Sequence, residues 1–287
     1  MPDFPAPFYR WPYLMRQRWS QLLFAHWPVA PALLRPYLPP RLELDVFEGQ
    51  AWLGVVPFTM SNIRPLGLPA VPGLNHLHEL NVRTYATLDG VPGVWFLSLD
   101  ATQPLGVWAA RTLFHLPYLH ARMRLTQHGH TLRAEATRTH AGAAPATFAA
   151  TWEVGAPLPS SQPDSLAHFL TERYYLYTSG PNLLHDIHGP DLWRGQLLHA
   201  PWPLRQATVH EWQSTLVESH GRRYTGALRR RPGRRMGANA SAGINIHSER
   251  GQTRKELRYA FSSSRAPIQH RRINPLLLAS ALRRARA

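Results

Sequence analysis

Residues 79–101, ELNVRTYATLDGVPGVWFLSLDA, decide the fold class. In the first seven, Glu79, Asn81, Arg83 and Tyr85 alternate with Leu80, Val82 and Thr84, the period of two that puts successive side chains on opposite faces of a strand. That pattern predicts a half-buried strand with a polar face. Asp89-Gly90-Val91-Pro92-Gly93 is a cluster of turn formers, and the following VWFLSLDA is apolar at nearly every position, as in a central strand covered on both faces. Two adjacent strands joined by a short turn run antiparallel.

The same grammar extends in both directions. Arg41–Phe47 and Ala51–Arg64 are apolar-rich segments on either side of Glu48-Gly49-Gln50, which predicts a hairpin. After residue 101 the period changes. Pro104 stands where a first helical residue is common, and Leu105, Trp108, Ala109 and Thr112 recur at helical spacing until Pro117, so a helix over about 104–114 is expected. Alternation returns from Tyr118, with Tyr118, His120, Arg122 and Arg124 on one face and Leu119, Ala121, Met123 and Leu125 on the other. Gln127-His128-Gly129-His130 then turns the chain into TLRAEATR, a second hairpin. Thr147–Val154 reads as a further strand, and Asp164 as the N-cap of a helix through LAHFLTERYYLY. Leu192–His199 and Thr208–Leu216 read as extended segments. The expected class is α+β, mainly antiparallel β with a few short helices.

Charge divides the 287 residues unequally. Residues 1–220 hold fifteen Arg against fifteen Asp plus Glu, whereas residues 221–287 hold seventeen Arg plus Lys against Glu249 and Glu256 alone. All ten Trp lie between Trp11 and Trp212. The material for a large apolar core therefore ends near residue 220, and one domain of that size is within the range of single β-rich domains. Residues 221–287 are expected to be a basic Arg-rich tail, disordered or non-native, as a frame error in a GC-rich gene would produce. A run such as RRRPGRR at 229–235 could instead bind nucleic acid electrostatically, which makes a nucleic-acid partner acting through the tail the alternative reading. The cysteine count is zero, which excludes disulfides and thiolate chemistry. No apolar run approaches the roughly 18 residues of a membrane span, and no signal peptide is visible, so a cytoplasmic location is expected.

The ordered blocks WSQLLFAHWPV, LDVFEGQAWLGVVPFTM, HELNVRTY, GVWFLSLDA, AARTLFHLPYLHARM, FLTERYYLY and HAPWPLRQA, from Trp19 to Ala207, resemble the YqjF-like family of unknown function. That family is in turn similar to the acetoacetate decarboxylase-like superfamily, and the resemblance implies a cone or barrel of antiparallel strands around a buried polar cavity. Residue by residue, Glu79 matches the superfamily's strand Glu, Arg111 its helical Arg and Pro117 its Pro. Tyr118 and Leu119 stand where the two lysines would be. A Schiff-base mechanism needs an amine of lowered pKa, and the single lysine, Lys255, lies outside the matched blocks. Acetoacetate decarboxylation by that route is not expected.

What remains is a set of polar side chains that could serve a small organic ligand. Glu79 and Tyr118 are the candidate catalytic acid–base groups. Asn81, Arg83, Arg111 and His120 are the candidate ligand-binding residues, with arginine suited to a carboxylate and the acid suited to polarising a carbonyl or moving a proton. Glu79 and Arg83 are four strand positions apart, about 13 Å at 3.3 Å per residue, so they cannot pair with each other. The sixteen His include His76 and His78 but no His-Glu-x-x-His or other converging motif, and no phosphate-binding glycine loop follows a strand. Neither a metal nor a cofactor is expected.

Overall fold

The computed structural model describes residues 15–65, 69–70, 75–180, 191–217, 219, 244–246 and 257–263. Among them the strands are β1 (Met15–Ser20), β2 (Leu22–Val29), β3 (Glu43–Leu44), β4 (Ala51–Pro65), β5 (His76–Leu88), β6 (Val91–Ala101), β7 (Tyr118–His128), β8 (Thr131–Arg138), β9 (Thr147–Pro157), β10 (Tyr175–Gly180), β11 (Asp191–Leu198), β12 (Leu204–Ser214), β13 (Ile244–Ile246) and β14 (Leu257–Ser263). Three short α-helices accompany them: α1 (Pro31–Leu34), α2 (Pro104–Phe114) and α3 (Leu166–Thr171).

All fourteen strands belong to one mixed, mainly antiparallel sheet. Its pairings return on themselves by two circuits that share β4, β5 and β6. One runs from β6 through β10, β11, β14 and β1 to β4. The other runs from β6 through β7, β8, β9, β12, β13 and β2 to β4. The shared strands split between their neighbours along their length. Ala51–Val55 of β4 pair with β2 and Thr59–Pro65 with β1, while β6 pairs with β10 at Val94 and Trp95 and with β7 at Leu99–Ala101. Both of those β6 pairings are parallel, and the β6–β7 crossover holds α2, as a parallel connection requires.

Because β5 lies in both circuits, it is covered on both faces. Leu80 and Val82 pack with Leu23, Ala25, Val55, Leu132, Phe148 and Trp152. On the other side Phe24, Phe58 and Trp202 form a second cluster, and Tyr85 joins Leu170 and Leu176 in a third. Every residue from Glu79 to Ala86 is buried, so the strand is not half-buried as its alternation suggested. The cover on its polar side comes from β2, α3 and the corner at Trp202, which no local period can show.

Three other expectations change in the structure. Arg41–Phe47 is not the hairpin partner of β4: only Glu43–Leu44 is a strand, and it pairs with Thr87 and Ala86 of β5. The Glu48-Gly49 turn closes a single Phe47–Gln50 bridge, because β4 already has β2 or β1 on one side and β5 on the other. The third helix is shorter than its sequence suggested, and Ser165, not Asp164, caps it: the Ser165 side chain accepts from the His168 amide, while Asp164 sits at φ 64. After Thr171 the chain runs irregularly to Tyr174, and the aromatic-rich YLYTSG of Tyr175–Gly180 takes the extended form its β propensity favours. The division at residue 220 does not coincide with the end of the sheet, since β13 pairs with β12 and β2, and β14 with β11 and β1. The helix at Pro104–Phe114 and the hairpin of β7 and β8 stand where the sequence put them.

Candidate functional site

The alternation of β5 sends Glu79, Asn81, Arg83 and Tyr85 to one side, and burial makes each a polar group that must find partners. Glu79, 3% exposed, is reached from β7 by the Tyr118 hydroxyl, which donates to Oε2 at 2.5 Å. Asn81 Nδ2 donates to the other oxygen, Oε1, at 3.4 Å, and the Asn81 Oδ1 is buried with no hydrogen-bond partner among the described residues. Tyr118 also packs against the Phe24, Phe58 and Trp202 cluster, so the acid sits beside an aromatic wall.

Two residues along, the Arg83 guanidinium is held by its Nη2, which donates to the Leu170 carbonyl at 3.1 Å and to the Tyr85 hydroxyl at 3.3 Å. It stacks on Phe24 and Tyr85, with its central carbon 5.1 and 5.6 Å from the ring centroids. Its Nε is buried without a partner, and no carboxylate among the described residues lies at ion-pair distance from it. The Tyr85 hydroxyl donates to Leu170 O at 2.8 Å, so its lone pairs accept from Arg83 and from His26 Nε2, which is 2.7 Å away. His26 therefore carries its proton on Nε2 and leaves Nδ1 as a buried lone pair.

These environments move the titrations apart. Burial pushes the Glu79 carboxyl up from 4.5 to about 7, against the pull of the Tyr118 and Asn81 hydrogen bonds and the Arg83 charge, and with a push from Asp100. Burial, reinforced by Arg83, holds His26 well below the ordinary histidine range, so it is neutral. An acid that titrates near neutrality, a phenol bonded to it and an arginine with no carboxylate at ion-pair distance among the described residues form the chemical content of the site.

Of the six residues expected from sequence, the structure gathers Glu79, Asn81, Arg83 and Tyr118 and leaves two outside. Arg111 is exposed, and its Nη1 donates to the Tyr118 carbonyl at 2.6 Å, which makes it a contact on the outer side of the strand start. His120 is half-buried, with its ring Nδ1 3.1 Å from the Thr139 hydroxyl and its amide donating to His140. A stretched strand carries 118 and 120 on one face, but β7 leaves β6 at residue 120, and the face that holds Tyr118 inside releases His120.

The residues sequence reading missed lie around this row. Asp100 and Arg138 form a buried bidentate pair, Nε to Oδ1 at 2.8 Å and Nη2 to Oδ2 at 2.7 Å. Arg173 pairs with Asp45 at 2.6 Å and places its guanidinium over Tyr85 and Phe169. Glu172 accepts from the Tyr174 hydroxyl and from the Trp202 amide. A lone Asp in an otherwise apolar strand, and an Arg at the fourth inward position of LRAEATR, were the available signals for the first pair. Among the described residues no group of three or more His, Asp or Glu could hold a metal ion, and no helix is long and apolar enough to cross a membrane.

The model of the DUF2071 family, described as an uncharacterized conserved protein, matches residues 16–235. The uncharacterized protein YqjF of Bacillus subtilis (strain 168) is 42% identical over 211 residues, 73% of this chain and 82% of that protein. Among solved structures, the enduracididine biosynthesis enzyme MppR aligns with a TM-score of 0.56 at 14% identity, over 92% of this chain and 93% of the other. A complex of MppR with pyruvate aligns with a TM-score of 0.54 at 13% identity, over 92% and 95%. Acetoacetate decarboxylase from Legionella pneumophila aligns with a TM-score of 0.52 at 13% identity, again over 92% and 95%. At such identities the likeness is one of fold.

Proposed function

The chain belongs to the DUF2071 family, and from that premise we propose that its buried polar row binds the carboxylate of a small organic acid at Arg83, with Glu79 and Tyr118 as the pair that moves a proton on the bound molecule. The observation that carries the reading is Arg83. A guanidinium cannot shed its proton, and an uncompensated ion in an interior costs several kcal/mol. Two neutral oxygens and two ring faces offset part of that cost and supply no counter-charge. A bound carboxylate would supply it, through the Nε and Nη1 groups that Tyr85 and Leu170 leave free.

Glu79 complements this. With its carboxyl near neutrality it can take or give a proton at physiological pH, and Asn81 lies between it and Arg83 as a polar spacer. No lysine belongs to the row, and Lys255 lies outside the described residues, so a Schiff base is not part of the proposal. The fold neighbours point the same way in ligand class: one is complexed with pyruvate and another is named for acetoacetate. The nucleic-acid reading rests on Arg229–Arg235 and the terminal arginines, which lie outside the described residues, and it draws no support from the family or from the fold neighbours.

The test is a thermal-shift titration with pyruvate and acetoacetate near pH 6.5. Wild type should show a melting temperature that rises with concentration, and Arg83→Met should fold and show none. Equal shifts in both proteins would refute the assignment of Arg83, and no shift in wild type with either acid would refute the ligand class.

A further inference from the structure

Two hydrogen bonds run in series from the protein surface to the buried acid. Arg111, in the last turn of α2, donates from Nη1 to the Tyr118 carbonyl at 2.6 Å, and the Tyr118 hydroxyl donates to Glu79 Oε2 at 2.5 Å. Tyr118 is the first residue of β7 and follows Pro117, which has no N–H to give. Its own amide folds back onto the Leu116 carbonyl at 2.7 Å, and the Pro117 carbonyl accepts from the Leu99 amide at 3.1 Å. The peptide on its C-terminal side is where the strand direction, and with it the direction of the tyrosine side chain, is set. A charge-assisted clamp on that carbonyl is roughly twice as strong as a neutral one.

We propose that Arg111 is a positioning residue for Glu79: by gripping the Tyr118 carbonyl from the helix side it fixes the ring so that the phenol reaches the carboxyl. The proposal rests on the reading of Glu79 as the group that moves a proton. An arginine in the last turn of a helix also has an ordinary structural use, closing the turn and answering the helix dipole. The two roles differ in what they do to Glu79. The groups that face its carboxyl are Tyr118 from β7, Asn81 and Arg83 along β5, and Asp100 from β6. Arg111 is not one of them, so its removal can alter the titration of Glu79 only through Tyr118.

The experiment follows the Glu79 side-chain carboxyl by carbon NMR across a pH titration of the ligand-free protein, with Glu79→Gln to assign the signal. In Tyr118→Phe the midpoint should rise by about one pH unit, because a hydrogen bond to the charged form is lost. Arg111→Gln should raise it in the same direction by a substantial part of that amount, Arg111→Lys should restore the wild-type midpoint, and the double variant Arg111→Gln/Tyr118→Phe should go no further than Tyr118→Phe. An unchanged midpoint in Arg111→Gln, whatever happens to melting temperature, would overturn the proposal. So would additivity in the double variant, which would mean that Arg111 acts on Glu79 directly. Because no ligand is present, the result is independent of whether carboxylates bind at Arg83.

Discussion

Replacing Glu79 by Gln should change how stability depends on pH, with a sign and size that follow from burial. The carboxyl titrates near 4.5 when exposed and at about 7 in the fold. Below pH 4.5 the folded and unfolded chains both hold the proton, and the acid is a neutral hydrogen-bonding group much like the amide that replaces it. Between 4.5 and 7 the unfolded chain releases its proton while the folded chain keeps it, so rising pH draws the equilibrium toward unfolding. Above 7 the folded chain must bury a carboxylate. A displacement of 2.5 pH units at 1.36 kcal/mol each is about 3 kcal/mol of stability lost between pH 4.5 and 8. Glu79→Gln cannot lose it.

Urea unfolding followed by tryptophan fluorescence at pH 5 and pH 8 measures this directly. His26 contributes a slope of opposite sign, because its folded form resists protonation as pH falls below about 6.5, but it is present in both proteins and cancels in their difference. The stability of Glu79→Gln relative to wild type should therefore grow by about 2.5 kcal/mol from pH 5 to pH 8, since part of the loss is already present at pH 5. In a melting experiment that is about 5 to 10 °C for a domain of this size. A difference that does not change with pH would refute the reasoning, since it would mean that Glu79 titrates alike in the folded and unfolded chain.

Other outcomes follow from particular contacts. Asp100→Asn and Arg138→Met each leave a buried partner uncompensated, and each should cost about 3 to 5 kcal/mol in the same assay. Among the glycines, Gly93→Ala would bring a Cβ to 2.9 Å from the Tyr175 carbonyl oxygen and 2.7 Å from the Tyr177 ring, and should destabilise by about 1 to 3 kcal/mol. Gly106→Ala, inside α2 with nothing closer than 3.6 Å, should stabilise by about 0.5 to 1 kcal/mol. Nitrogen NMR of His26 should show one neutral tautomer, protonated at Nε2, from pH 8 down to pH 6; a mixture of tautomers or a charged ring would contradict its bond to Tyr85.

What could be read from the sequence and what could not divide along the reach of each interaction. Alternation in ELNVRTY gave β5 and the shared face of Glu79, Asn81, Arg83 and Tyr85, because period two is a property of the strand itself. The change of period at Pro104 gave α2 within its observed bounds. The cover on the polar face could not be read, because it comes from Phe24 and His26 on β2, Leu170 on α3 and Trp202, elements far apart in the chain. The same limit hid the place of Arg111, whose helix lies beside Tyr118 while its guanidinium stays outside, and of His120, where β7 departs from β6. LAHFLTERYYLY was ambiguous in a different way: its first half has a helical cap at Ser165 and its second half is rich in aromatics that suit a strand, and the sheet edge offered by β6 and β11 decided the matter at Thr171. LRYAFSS at 257–263 carries a weak alternation that the charge of its surroundings obscured, and it is the segment that β11 and β1 accept as β14.

The central claim is that Arg83 is a buried cation that takes its counter-charge from a bound carboxylate. Isothermal titration of butyrate, and of its neutral isostere butyramide, into wild type and Arg83→Met tests it most directly. Wild type should bind the acid and not the amide, and Arg83→Met should bind neither while unfolding in urea as a single cooperative transition. Binding of acid and amide alike, or of the acid by both proteins, would contradict the claim.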